Sequence, residues 1–315
     1  MTTSRLFAAA AASALVVSGS VACAPPEKKD SGAKTESGVN AGEAISAQDF
    51  GGMDSLVTAG KAEGALNVIA LPPDWANYKE VIDTFSSKYG IKVTSAQPDA
   101  NSQDEINAAK QQKGKSTAPD VFDLGQAIAL ANTLNGDPTT ASAAANGVLM
   151  AAIANGGSVD DIAAGVDFFG RLHTAAKFVP VDPTPATIES GQTPVVIDWD
   201  YLNSAETKKI PTWKVFVPSN ALVGAYYFQA INKDGRHPAA ARLWQEFLFS
   251  DEGQNLYLKG LARPVRADAM TTADTIDKTA LGALPAVQGT PVVPTDAQSK
   301  SIAEYLDTNW AKAVN

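Results

Sequence analysis

Two short stretches of this sequence set carboxylates beside aromatic rings: Asp74-Trp75, and Asp198-Trp199-Asp200-Tyr201. A ring face next to a carboxylate suits a cation, through the ring quadrupole and direct charge pairing. Tyr226 and Tyr227 add two phenols farther along, able to close a cavity over a solute or to hold ferric iron. A second set of residues points the other way. Thr139, Thr140 and Ser142 follow Asp137-Pro138, a helix-opening pair with Asp as N-cap and Pro at the first helical position. Free N–H groups and a partial positive charge make such a helix start suited to an anion, and Ser102 occupies a similar place. Each residue also has a plain structural use, as a core aromatic with a capping Asp or as an N-capping hydroxyl. A zwitterion such as an aminophosphonate would use both sets, whereas a polyamine would use only the acidic and aromatic one.

Other chemistries find little support. Gly114-Lys115-Ser116 imitates the end of a phosphate-binding loop, but Ala109 stands where the first glycine belongs, and a strand rather than a helix follows. His173 and His237 are the only histidines and lack the spacing of a metal cage. The sequence has no G-x-S-x-G elbow and no HExxH helix, and its one cysteine lies near the N-terminus. Asp198 and Asp200 fall on one face of an extended chain, a spacing open to paired-carboxylate chemistry but more commonly used for cations or caps. The net charge of −9 argues against nucleic acid as a partner. No cofactor is expected, and the chain is read as a binder rather than an enzyme.

The elements that must position these residues alternate between strand and helix. Leu66–Leu71 reads as a buried strand, and Tyr78–Tyr89 as a helix with Val81, Ile82, Phe85 and Tyr89 on one face and Gly90 at its end. Ile91–Thr94 is a second strand. A helix opened by a Ser102/Glu105 capping box follows, then a third strand at Asp120–Leu124. Helices are expected from Asp137, over Ser158–Ala176, over 238–249 and over about 297–313, with strands at Phe178–Val181, Pro194–Trp199, Trp213–Val217 and Leu222–Asn232. This alternation is the signature of an α/β architecture. Ligands of open α/β sheets lie beyond the carboxyl ends of the strands. That rule selects Pro72–Asn77, Gln97–Gln103, Gly125-Gln126, Asn135–Thr140 and Asp198–Tyr201.

The N-terminus reads as an export signal. Arg5 is the sole charge among the first 26 residues, and Leu6–Val17 is apolar but short of a membrane span. Ser20-Val21-Ala22-Cys23 resembles the bacterial lipobox, in which the cysteine is acylated; the alternative is plain cleavage at Ala22-Cys23-Ala24. Residues 24–46 are rich in Pro, Gly, Ser and charge, and read as a disordered tether.

From His237 to Gln254 the chain runs HPAAARLWQEFLFSDEGQ, followed by Arg263-Pro264-Val265-Arg266. This resembles the closing signature of the family 1 extracellular solute-binding proteins of bacterial ABC importers, and the resemblance spans about residues 50–310. It implies a two-lobed α/β clamp of the type II periplasmic-binding-protein kind. In that family the clamp closes on a solute and hands it to a membrane permease; the nearest branches handle polyamines, ferric iron, thiamine and phosphonates. On this basis residues 1–22 are a signal peptide and 23–46 a lipidated tether. Residues 47–132 begin lobe 1, 133–217 form lobe 2, 218–285 return to lobe 1, and 286–315 end the chain. The chain departs from the family pattern at Gly125–Leu134, where a join of a few residues replaces several dozen. The clamp is therefore expected to be incomplete near residues 125–134. A monomer on the outer face of the cytoplasmic membrane or in the cell envelope, taking a small cationic or zwitterionic solute, is the combined expectation. An anionic or metal ligand, or a sensing lipoprotein without transport, is the alternative.

Overall fold

The computed structural model describes residues 34–125, 138–139, 142–178 and 183–314. The strands are short and central. β1 (Ala65–Ile69) pairs in parallel with β2 (Lys92–Ala96), Ala65 opposite Lys92 and Ile69 opposite Ala96. β3 (Val121–Gly125) pairs antiparallel with β4 (Tyr227–Ile231), Asp123 opposite Gln229 and Gly125 opposite Tyr227. A backbone bond from Asp120 N–H to the Asn67 carbonyl, 2.8 Å, ties β1 to the start of β3.

Helices cover both faces of these strands. On one face lie α1 (Met53–Glu63), α2 (Tyr78–Tyr89) and, far along the chain, a helix at Pro238–Leu248. Leu56, Leu66, Val68, Val81, Phe85, Leu243, Trp244 and Phe247 form one core there. On the other face lies α3 (Ser102–Gln111), through Ala108 against Ile69, Phe122 and Leu124. The periodicity that predicts α2 does so because its apolar stripe faces this core and Gly90 closes it in the left-handed region, φ 68°.

After β3 the chain forms α4 (Ser142–Ala154), α5 (Ala163–Thr174), α6 (Pro185–Glu189) and α7 (Asp200–Glu206). It then returns through β4 to α8 (Pro238–Leu248) and α9 (Asp251–Lys259). α10 (Ala267–Thr272), α11 (Lys278–Gly282) and the long α12 (Asp296–Val314) complete it. Ser250 caps α9 by accepting the Gly253 N–H at 3.1 Å. α4, α5 and α12 make a helical cluster around Val148, Leu149, Val166, Leu306 and Trp310. The contact of α4 with α5 needs Gly165, where a Cβ would sit 2.3 Å from the Val148 carbonyl oxygen.

Several expectations are corrected. Residues 194–199 and 213–217 are not strands. Val195 is 83 % exposed and Phe216 78 %, and among the described residues these apolar runs have no strand to pair with and no layer to bury them. Phe178 is irregular, and residues 179–182 lie outside the described residues, as do 126–137 with most of the shortened join. Residues 41–44, expected in the tether, belong to the body: Ala41 and Ala44 are buried in the main core, and the Ala44 carbonyl accepts from Arg242 at 3.0 Å. The α3 capping box is Asn101/Asp104 rather than Ser102/Glu105. Tyr201 and Ala205 of α7, assigned to lobe 2 by the sequence, pack with Leu258, Leu261 and Met270 of the return segment.

A single buried carboxylate joins the early and late parts of the chain. Asp120 is fully buried and accepts from Asn67 N–H at 2.7 Å, Arg236 N–H at 2.9 Å and His237 N–H at 3.2 Å. Its Oδ2 also meets His237 Nδ1 at 2.8 Å, and this contact holds the imidazole pKa above its ordinary value. Beside it, Glu63 accepts from the first amides of α8, Ala239 at 3.1 Å and Ala240 at 2.8 Å. Burial lifts the Glu63 carboxyl to about 7 against the pull of those amides. Asp120→Asn sets an amide NH₂ against these donors and should cost about 3 kcal/mol in urea unfolding, whereas exposed Asp99→Asn should cost less than about 0.5 kcal/mol.

Candidate functional site

Beyond the carboxyl ends of β1 and β3, five aromatic residues and three carboxyls converge. Trp75 sits at the centre, on the loop after β1. That loop holds three non-glycine residues in the left-handed region, Ala70 at φ 56°, Ala76 at 47° and Asn77 at 65°. Such conformations cost on the order of 1 kcal/mol each and persist where packing over-determines them. The packing is visible: Asn77 donates to the Leu256 carbonyl at 3.0 Å, and Gly260 lies so close that a Cβ would be 2.7 Å from Asn77.

The Trp75 indole N–H donates to the Tyr201 hydroxyl at 2.6 Å. Its ring meets Tyr227 edge-on at 5.0 Å and Tyr78 at 5.6 Å, with Tyr201 at 6.4 Å. Below it, Tyr78 donates to Asp123 Oδ2 at 2.6 Å, and the Gln229 amide donates to Asp123 Oδ1 at 2.6 Å. The Tyr257 hydroxyl donates in turn to that of Tyr78, 3.1 Å. The register explains the convergence: Asp123 faces Gln229, and Gly125 faces Tyr227, so all four lie on one face of the β3–β4 pair. Glu105 of α3 reaches the same strand, accepting the Asp123 N–H at 2.9 Å, while Ser102 accepts the Gly125 N–H at 3.0 Å.

The electrostatics run one way. Burial pushes the Glu105 carboxyl to about 9 and the Asp123 carboxyl to about 7. In the first case the Asp123 amide opposes the rise and the Asp123 carboxylate adds to it; in the second, Tyr78 and Gln229 oppose it. Asp198 keeps an exposed edge, yet close packing still raises its carboxyl, and the Trp199 N–H at 2.7 Å offsets part of the rise. Packing raises the Tyr78, Tyr201 and Tyr257 phenols, and the nearby acids raise them further. Tyr227 is 42 % exposed and rises to about 12, through packing and then the fields of Asp123, Asp198 and Glu105. Among the described residues, the fields that act on these seven come from acids and phenols.

The structure thus brings together Trp75, Tyr201, Tyr227 and Asp198 among the residues singled out by sequence. It separates others. Asp74 is exposed on the loop surface. Asp200 is held by Arg263 at 3.2 Å, which also donates to the Pro285 carbonyl. Trp199 precedes α7 and its carbonyl accepts from Asn203; its ring makes no ring contact among the described residues. Tyr226 is 46 % exposed and meets Phe228 at 5.4 Å, away from Tyr227, so the two neighbouring phenols do not converge on one metal ion. Thr139 is half-buried in a turn; Gln126, Asp137 and Thr140 lie outside the described residues.

Sequence reasoning missed Tyr78, Asp123, Gln229, Tyr257 and Glu105. The one available signal was Asp123, a lone carboxylate inside the buried run Val121-Phe122-Asp123-Leu124.

No protein-family model matches the chain, and no curated protein does. Solved structures do match its fold. The Atu4243-GABA receptor aligns with a TM-score of 0.55 at 14% identity, over 79% of this chain and 96% of that one. The PBP AgtB from A. tumefaciens R10, in complex with agropinic acid, aligns with a TM-score of 0.52 at 14% identity, over 80% of this chain and 98% of that one. The fold is that of a type II periplasmic binding protein. Within that fold, Trp75 lies on the loop beyond the carboxyl end of β1, where the α/β rule for ligand sites points.

A raised carboxyl pKa binds its proton more tightly folded than unfolded, so the associated stability is lost as pH rises through the folded value. Glu63, Asp123, Glu105 and His237 all have this sign. Thermal stability should therefore fall from about pH 5 to about pH 9. Glu105→Gln, which keeps the acceptor for the Asp123 amide, should flatten the fall above about pH 7.

Proposed function

We propose that this chain is the extracytoplasmic solute-binding component of an ABC importer, taking a small organic cation or zwitterion at the Trp75–Tyr227 cluster. The observation that carries the reading is the charge of the site. Asp123, Glu105 and Asp198 lie among four phenols and an indole, and no salt bridge to Asp123, Glu105 or Asp198 forms among the described residues, where the fields that act on the cluster come from acids and phenols. An ammonium group would supply the missing counter-charge, and the faces of Trp75 and Tyr227 suit it. The fold supports the transport role, and the two structural neighbours take small polar solutes, agropinic acid in one case and GABA in the other.

The remaining parts of the reading follow from the sequence. Residues 1–22 direct export, Cys23 is acylated, and the body sits as a monomer at the outer face of the cytoplasmic membrane or in the cell envelope, where it meets its permease. Residues 47–132 and 218–285 form lobe 1, with α7 docked on it, and residues 133–217 supply lobe 2 with the C-terminal segment 286–315 behind it. Binding without catalysis fits the fate of the paired acids, since Arg263 holds Asp200 while Asp198 faces the aromatic cluster.

A thermal-shift panel tests this on the mature protein, with spermidine, putrescine, thiamine, GABA, an aminophosphonate, phosphate and a ferric complex. An amine should stabilise, by about 2.7 kcal/mol at a hundredfold excess over Kd. Trp75→Ala and Asp198→Asn should each remove most of that shift. Stabilisation by phosphate alone, unchanged in both variants, would contradict the cation reading.

A further inference from the structure

Asp123 and Glu105 form the floor of the cluster, with 5 % and 1 % of their surfaces exposed. The Asp123 main-chain N–H donates to Glu105, so the two acids share a residue-length of strand. The groups around Asp123 come from several elements, and of these Tyr227 also lies in the field of Glu105. α2 supplies Tyr78, α9 Tyr257, and β4 Tyr227 and Gln229; α7 and the stretch before it add Tyr201 and Asp198. Among them are one neutral amide, four phenols and a third acid. Arg263, the basic group beside α7, is turned to Asp200 and the Pro285 carbonyl.

Two buried carboxylates of like charge, with no ion pair to either among the described residues, are costly, and the ordinary relief is a proton. A bound cation would provide the same relief. We propose that Asp123 and Glu105 retain at least one proton between them in the absence of ligand, and that an organic cation binds in exchange for it. This rests on the cation reading above and adds how that site is regulated. In the exchange the carboxylic O–H bond breaks heterolytically, the proton passes to water, and the carboxylate left behind faces the incoming ammonium. No electrons are transferred. The raised values of both carboxyls agree with the geometry. Binding then tightens as pH rises, by up to about tenfold per pH unit for one exchanged proton. Such a site favours release in an acidic setting and capture in a neutral one.

The test has two arms on the full chain. Infrared difference spectra of the ligand-free protein at neutral pH should show the carbonyl stretch of a protonated carboxyl, diminished in Glu105→Gln. Calorimetric titration with spermidine, in two buffers of different ionisation enthalpy, should then report release of about half to one proton per site near neutrality. Glu105→Gln should bind with fewer protons released and a flatter pH profile; Asp123→Asn serves as a second variant, with circular dichroism confirming its fold. Absence of the carboxyl band overturns the proposal. Spermidine binding without proton release overturns the exchange but leaves the cation reading standing. No binding of spermidine, putrescine or thiamine overturns both.

Discussion

Two buried aspartates on one strand segment organise this molecule, and they differ in what neutralises them. Asp120, at the entry to β3, has His237 and three main-chain amides around it, all supplied by the protein. Asp123, three residues on, has a phenol and a neutral amide, with Glu105 alongside rather than a base. The first arrangement is complete and joins β1 to the returning α8 segment. The second leaves charge uncompensated at the carboxyl ends of the strands, where ligands of this fold class are expected.

The aromatic residues follow from the same constraint. A carboxyl kept dry needs a wall that excludes water, and Tyr78, Tyr227 and Trp75 provide it while Tyr78 also donates to Asp123. The strained turn at Ala76-Asn77 carries Trp75 into that wall, and Gly260 lets the turn approach α9 closely enough to be held. Tyr201 completes the indole's hydrogen bonding from α7, and with Ala205 it also packs on the return segment. The site is thus built from chain segments at residues 75–78, 102–105, 123, 198–201, 227–229 and 257, drawn together by one α/β body.

Local signals made much of the scaffold legible in the sequence. α2 was readable to both ends from its apolar stripe and its terminal glycine, and α8 from its apolar pattern behind Pro238. Half of the site was readable as well, because Trp75, Asp198 and Tyr201 are aromatic or acidic residues just beyond a strand or apolar run, and Tyr227 is one of two adjacent phenols in the returning one. Asp123 with Tyr78 and Gln229 was not, since those bonds join residues 45 and 106 positions apart. Glu105 was misread for a local reason: Asn101 and Asp104 take the cap one residue earlier, which frees Ser102 and Glu105 to reach β3. The failed strands at 194–199 and 213–217 show the converse, that an apolar run becomes a strand only where a partner offers its edge.

The claim at the centre of this account is that the cluster around Trp75 holds an organic cation against Asp123 and Asp198. The most direct measurement is a crystal structure of the mature protein grown with saturating spermidine. It should show an amine nitrogen within about 3 Å of the Asp123 or Asp198 carboxylate and within about 6 Å of the Trp75 or Tyr227 ring centre. Spermidine bound elsewhere, or an anion from the crystallisation medium in that place, would contradict it.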